Sequence, residues 1–336
     1  MKAYRFDPKL DFPGLTPSEE TPAAPQRGEL LIRVRAVSLN YRDIALAEGT
    51  YLSPQRPGLV PISAGAGEVV EVGEGVEEYA PGDRVMGIFA ARWFGGARRQ
   101  AVANNTYGNI EDGWLMEYKV VSREAVVRIP DTLSYEQAAT LPCAGVTALN
   151  ALSGDTPIRA GDTVLTLGSG GVSLFALQLA RAFGARVIAT TSTAEKAERL
   201  KAMGASDVVN YREDDSWGET VRELTGGEGV ERIVEVGGPA TIGQSLNAIG
   251  IDQELVVIGF IGGEGAPIDY FDLMKSGVRI RSISVGDRTM LEALAHLVEV
   301  KKIEPVIDHV FDFDQAAEAF QYMKEARHFG KVVIKI

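Results

Sequence analysis

The stretch that most constrains this chain runs from Thr163 to Thr191, TVLTLGSGGVSLFALQLARAFGARVIATT. A short apolar, partly β-branched run, Thr163 to Leu167, leads into glycines at Gly168, Gly170 and Gly171. An amphipathic stretch follows, then a second apolar run from Ala185 to Ala189. The order predicts strand, tight turn, helix and strand, one βαβ unit. Glycines let the backbone turn sharply and approach a ligand closely, and the first turn of the helix offers unpaired N–H groups to a phosphate. The ligand that suits such a turn is the pyrophosphate of a dinucleotide. Its expected contacts are Gly168, Gly170, Gly171 and Val172. Ser173 stands where G-x-G-x-x-G carries its third glycine, and is expected to add a hydroxyl.

A unit of this kind that selects NAD(H) carries an acid after the second strand, where it meets the ribose hydroxyls. Here that position is Ser192, in the run Thr190 to Lys196, TTSTAEK. Without a carboxylate nothing repels a 2′-phosphate, and Lys196 offers it a compact positive charge. Ser192 and Glu195 also fit a capping box, with Lys196 an ordinary solvated helix residue. The two readings are compatible, and NADP(H) is favoured over NAD(H). Val236, Gly237, Ile258, Gly259 and Phe260 fall at the C-terminal ends of later strands, where a nicotinamide rests in a doubly wound sheet.

The 336 residues suffice for two domains with separate cores. A hydrophobic content of 45% and a charged content of 24% are those of an ordinary soluble protein, and the net charge of −12 argues against nucleic acid or an anionic membrane as partner. No run approaches a membrane span, and the N-terminal MKAYRFDPKLDF lacks the pattern of a signal peptide. Cys143 is the one cysteine, so no intrachain disulfide forms and a cytoplasmic location is expected. Before the βαβ unit the chain reads as short strands with glycine turns, such as 29–37 and 68–72, which suggests a partly closed β-barrel. Residues 91–114 show no period and read as a loop over a site. After the unit, strands and helices alternate: strands over 206–210, 230–236, 254–260 and 278–285, helices over 217–224, 241–248 and 289–300. That alternation predicts an α/β fold with a doubly wound parallel sheet. The last run, 331–336, is expected to pair back into the N-terminal domain.

With these stretches in view, the chain resembles the medium-chain dehydrogenase/reductase superfamily along essentially its whole length. The resemblance is carried by VSLNYRD (37–43), SAGAGEVVEVGEGV (63–76), GDRV (82–85), TLPCAGVTA (140–148), GDTVLTLGSGGVSLFALQLA (161–180), KAMGASDVVNYRE (201–213), VEVGG (234–238) and HFGKVVI (328–334). It implies a GroES-like β-barrel domain at 1–123, a Rossmann domain at 124–302, and a return segment at 303–336. It also implies a cofactor cleft between the domains and a homodimer or tetramer, of which the homodimer is expected here. Ser192, Lys196 and Tyr211 match the adenosine 2′-phosphate positions of NADPH-using quinone reductases, and Phe329, Gly330 and Lys331 match a C-terminal cofactor contact.

The NYRD run resembles the zinc-free branch, which includes quinone oxidoreductases and zinc-independent alcohol dehydrogenase-like proteins. Zinc-dependent relatives place a cysteine near 40–42, a histidine near 64–66 and a third ligand near Cys143. Only Cys143 is present here, and one thiol does not hold a tetrahedral zinc. The structural zinc lobe of the family needs four cysteines around 91–116, and none is there. The three histidines, His296, His309 and His328, all lie in the last 41 residues and read as surface or supporting residues.

Without a metal, the negative charge that develops on a hydride acceptor needs another partner. The resemblance places Tyr41 where it opens toward the substrate, as proton donor or as an aromatic wall with water as the proton source. Asn40 is expected to hydrogen-bond the nicotinamide ribose or the substrate, and Arg42 and Asp43 to form an ion pair. The expected activity is hydride transfer to or from a small quinone, enone, aldehyde or alcohol. Two rivals remain open: a cofactor-binding protein with little catalysis, and a methyltransferase, which Ser192 disfavours.

Overall fold

The structure, a computed structural model, describes residues 1–336 apart from 52–55, 104, 264 and 266, and gives the backbone alone at 101 and 103. It forms two compact units, one of residues 1–146 with 286–336 and one of residues 147–285. These limits lie inside the expected 124–302 span, for physical reasons. Val126–Arg128 hydrogen-bonds to the strand Arg84–Gly87, which keeps that segment with the first unit. The helix Arg288–Lys301 belongs there too, since its Arg288 N–H donates to the Trp93 carbonyl at 3.1 Å and its Leu294 packs against Gly145.

The first unit contains β1 (Lys2–Phe6), β2 (Leu15–Glu19), β3 (Glu29–Ser38), β4 (Ala64–Val72), β5 (Arg84–Gly87), β6 (Tyr118–Ser122) and β7 (Val126–Arg128). The second contains β8 (Thr163–Thr166), β9 (Arg186–Thr191), β10 (Asp207–Asn210), β11 (Val230–Glu235), β12 (Ile249–Val257) and β13 (Arg279–Ser282). The chain then returns to the first unit with β14 (Ile307–Asp312) and β15 (Lys331–Lys335).

Among the described residues, the first unit's main sheet runs β14-β15-β3-β4-β5-β7, with β6 also on β3. β3 is its spine. Leu30, Ile32 and Val34 point into the core while Arg33 faces out, the period-2 pattern of a half-buried strand. The C-terminal return occurs as expected, with Val333 opposite Ser38 in an antiparallel pair. Three elements differ from the sequence expectation. NYRD opens a helix, Tyr41–Ala47; β2 falls at Leu15–Glu19, ahead of the 29–37 strand; and residues 123–125 form a 3₁₀ turn between β6 and β7. The segment 91–114 is largely irregular apart from the short helix Gln100–Ala103, and its residue 104 lies outside the described residues.

The second unit holds a parallel sheet in the order β10-β9-β8-β11-β12-β13. Its central strand β8 is buried at every residue, as strands covered on both faces are. The helix Gly171–Ala182 buries Leu174, Phe175, Leu177 and Leu179. The Val278–Val285 run contributes the four-residue edge strand β13, and the helix Tyr270–Ser276 before it had no clear signal in the sequence. No helix among the described residues is long and apolar enough to cross a membrane.

Candidate cofactor and catalytic residues

The glycine turn follows β8 directly. Gly168 sits at φ +71°, the left-handed region that only glycine enters without strain, and its N–H donates to Thr190 Oγ1 at 3.2 Å. Gly170 caps the twelve-residue helix that starts at Gly171. A Cβ placed on Gly168 or on Gly170 would meet nothing within 4 Å, so the space above the turn is open. Open space, a helix N-terminus and its unpaired N–H groups fit a pyrophosphate at Gly168, Gly170, Gly171 and Val172. Ser173 differs from expectation. Its side chain is buried and its hydroxyl donates to the Leu167 carbonyl at 2.6 Å, so it ties the helix to the strand instead of facing a phosphate.

At the end of β9 the helix Ala194–Ala202 is capped by Thr193, whose Oγ1 accepts the Lys196 N–H at 3.3 Å. The expected capping box of Ser192 and Glu195 is therefore corrected. The chain turns one residue later, which leaves the half-buried Ser192 outside the cap and the Glu195 side chain exposed. Lys196 lies in the first turn of that helix. The Tyr211 N–H donates to the Thr191 carbonyl at 3.0 Å, which holds Tyr211 beside the same strand end as Ser192. Thr190, which steadies the glycine turn, was missed; a hydroxyl at the end of the second strand is its only signal.

At the ends of β11 and β12 two loops interlock. The Ile258 and Gly259 N–H groups donate to the Glu235 carbonyl at 2.9 and 3.3 Å, and Ile261 N–H donates to the Val236 carbonyl at 3.2 Å. A side chain at Gly259 would collide with the Val236 carbonyl, so the close approach requires glycine there. The structure thus brings Val236, Gly237, Ile258, Gly259 and Phe260 together. Glu235, which the sequence reading passed over, is the acid that organises them.

In the first unit a buried polar cluster surrounds Asn40. Its Nδ2 donates to the Ser38 carbonyl at 3.1 Å, and its Oδ1 accepts from Lys331 Nζ at 2.7 Å. Lys331 Nζ also donates to the Leu39 carbonyl. The Lys331 side chain therefore turns inward, and the lysine expected at a cofactor contact anchors the Asn40 amide. Burial pulls its pKa down to about 8, against the Cys143 thiol and the Asp43 carboxylate. Phe329 N–H donates to Asp308 Oδ1 at 3.1 Å, and Gly330 turns at φ +101° against Val306.

Asp43 returns its Oδ2 to the Asn40 N–H at 2.8 Å, which starts the helix carrying Tyr41. The expected Arg42–Asp43 contact is present at 3.8 Å, both side chains buried. Arg42 also donates to the Tyr107 carbonyl at 2.9 Å and lies over the Phe89 ring, 4.8 Å from its centroid. Burial raises the Asp43 pKa even though Arg42 opposes it. Tyr41 is half-buried; burial first, and the Glu48 carboxylate second, raise its phenol pKa, so it keeps its proton at neutral pH.

Cys143 lies in the π-helical turn Leu141–Gly145, and burial pushes its thiol up to about 11 while Lys331 and Arg42 oppose the shift. His296 and His309 are exposed and His328 half-buried. Among the described residues no three His, Cys, Asp or Glu side chains cluster to hold a metal ion.

Family models match both units. One described as an alcohol dehydrogenase GroES-like domain covers residues 26–131, and one described as a zinc-binding dehydrogenase covers residues 171–300. The chain is 39% identical to a zinc-type alcohol dehydrogenase-like protein of Schizosaccharomyces pombe, over 97% of this chain and 96% of that one. A solved NAD-dependent alcohol dehydrogenase is 30% identical, with a TM-score of 0.90 over the whole of both chains. The Escherichia coli quinone oxidoreductase complexed with NADPH is 25% identical, with a TM-score of 0.83, again over the whole of both chains. Identity at this level, sustained from end to end, means that the chain belongs to the medium-chain dehydrogenase/reductase superfamily.

Proposed function

We propose that this protein is a zinc-independent NAD(P)(H)-dependent oxidoreductase. It moves hydride to or from a small quinone, enone, aldehyde or alcohol, and it prefers NADP(H). The observation that carries the reading is the open glycine turn at Gly168 and Gly170, at the N-terminus of a buried helix. A nicotinamide held there would supply the hydride to a quinone, enone or aldehyde, or accept it from an alcohol. Gly170, Gly171 and Val172 would bind the pyrophosphate through backbone N–H groups, while Gly168, its own N–H held by Thr190, turns the chain beneath it. Ser192, freed from the cap, and Lys196 receive the 2′-phosphate, with Tyr211 beside them. The strand-end residues Val236, Gly237, Ile258, Gly259 and Phe260 form the bed of the nicotinamide.

On the substrate side, the Lys331 ammonium and the Ser38 carbonyl fix the Asn40 amide so that one Nδ2 proton remains to be donated. That proton suits a ribose hydroxyl or a substrate carbonyl oxygen. Tyr41, a protonated phenol at neutral pH, is the proton donor to the oxygen that gains charge. Zinc independence is supported by Cys143 being the one cysteine of the chain and by the lack of a ligand cluster among the described residues. The absence of further cysteines supports a cytoplasmic location.

A substrate panel tests the reading: quinones, enones, aldehydes and alcohols, each with NADPH or NADH or the oxidised forms, followed at the nicotinamide absorbance. Turnover of at least one class, faster with the phosphorylated cofactor, is expected. Cofactor binding with no turnover across the panel would favour a binding protein instead.

A further inference from the structure

Glu235 ends β11 and is fully buried. Its Oε1 accepts from the Gly237 N–H at 2.8 Å, the Gly238 N–H at 3.0 Å and Thr241 Oγ1 at 2.6 Å. Its Oε2 accepts from Ser245 Oγ. Its own carbonyl receives the Ile258 and Gly259 N–H groups. One residue therefore braces both loops assigned above to the nicotinamide.

Backbone N–H groups only donate, so the surroundings of Oε1 suit an ionised, acceptor-only carboxylate. All four side-chain partners are neutral. They orient dipoles toward the charge without cancelling it. A charge in such an interior acts more strongly over a few ångströms than one in water. An oxidised nicotinamide ring is cationic, whereas the reduced ring is neutral.

We propose that Glu235 is a positioning residue that also acts electrostatically. Its buried carboxylate favours the oxidised over the reduced cofactor, and so sets the redox balance of the bound pair. The inference rests on the reading that the nicotinamide lies at the ends of β11 and β12. It gives the carboxylate a role beyond holding the loops, which a neutral amide would hold as well.

The variant Glu235→Gln separates the two. The amide oxygen can accept the same three hydrogen bonds, and the amide nitrogen can donate to Ser245 Oγ, so geometry is kept and charge is removed. Wild type and variant are titrated with NADP⁺ and with NADPH, or with NAD⁺ and NADH if wild type binds those more tightly, following protein fluorescence. The ratio of the oxidised-form Kd to the reduced-form Kd is expected to rise about 5- to 30-fold in the variant. Equal weakening of both forms, or no change, overturns the inference and leaves the cofactor assignment standing. If wild type binds neither pair, the assignment falls and the inference with it. Should Glu235→Gln fail to fold by circular dichroism, Ser245→Ala carries the test, since it removes one donor and keeps the charge. There the ratio is expected to fall, and an unchanged ratio overturns the inference.

Discussion

Lys119 is buried. Its Nζ donates to the Asp112 carbonyl at 2.5 Å and stands over the Tyr107 and Trp114 rings, 4.6 and 5.5 Å from their centroids. Burial pulls its pKa down to about 8 from an ordinary 10.5, although Asp112 and Glu111 oppose the shift. Between those values the unfolded chain holds a proton that the folded chain has released, so the Lys119 contribution to stability rises with pH across the window. The stability of wild type relative to Lys119→Met should therefore grow by up to about 3 kcal/mol between about pH 8 and pH 10.5. Denaturant titrations at several pH values check this, and a constant difference contradicts it. Lys196 is a different case, a cation in the first turn of a helix beside the freed Ser192. A charged hydrogen bond of this type contributes roughly 1.5–3 kcal/mol, so Lys196→Ala should weaken NADPH about 10- to 100-fold and leave NADH nearly unchanged. Fluorescence titration decides, and equal loss for both cofactors rejects the assignment. At this scale residue type was legible and direction was not. Lys331 and Ser173 both sit in recognisable motifs, but whether a side chain faces a ligand or its own backbone depends on neighbours that a motif does not name. Glu235 lay in plain view in VEVGG, yet its importance comes from four donors that only the folded loops assemble.

The glycine turn joins strand to helix through one left-handed residue. Placing Cβ on Gly168 meets no atom, so the cost of Gly168→Ala is backbone strain alone, about 1–2 kcal/mol. The same methyl would occupy the open space above the turn. The expected result is a small drop in melting temperature and a larger loss of affinity, shared by NADPH and NADH because both carry the pyrophosphate. Calorimetry of both cofactors checks it, and unchanged affinities would remove the turn from the site. Elements of this kind were the most readable, because continuous apolar runs and glycine breaks state a parallel sheet locally. The helix Tyr41–Ala47 was not readable. It is only seven residues long, and its start depends on Asp43 reaching back to the Asn40 N–H, which looks like a turn in sequence. The helix at Tyr270–Ser276 hid for another reason: it buries no residue, so no apolar face marked it.

For the whole molecule, the proposed assembly is a homodimer through β13. That strand is the edge of the second unit's sheet, and Ile280 on it is 42% exposed. Tyr270, Phe271 and Met274 of the preceding helix are exposed as well. An unpaired strand edge with apolar neighbours is a ready surface for a second copy related by a two-fold axis. Light scattering should give a dimer at micromolar concentration, with Ile280→Lys shifted toward monomer; a monomeric wild type contradicts the proposal. The two-domain plan was visible from length and from the change of pattern along the chain. The unit limits were not, since β7 and the helix Arg288–Lys301 belong to the first unit through contacts distant in sequence. The proposed hydride transfer is metal-independent, with Asn40 and Tyr41 in place of a zinc ion. The most direct measurement is the rate of nicotinamide absorbance change with the best panel substrate, before and after exhaustive chelation, on protein whose zinc content has been determined. No stoichiometric zinc and an unchanged rate are expected; a rate that is lost on chelation and restored by one zinc ion per chain would overturn metal independence.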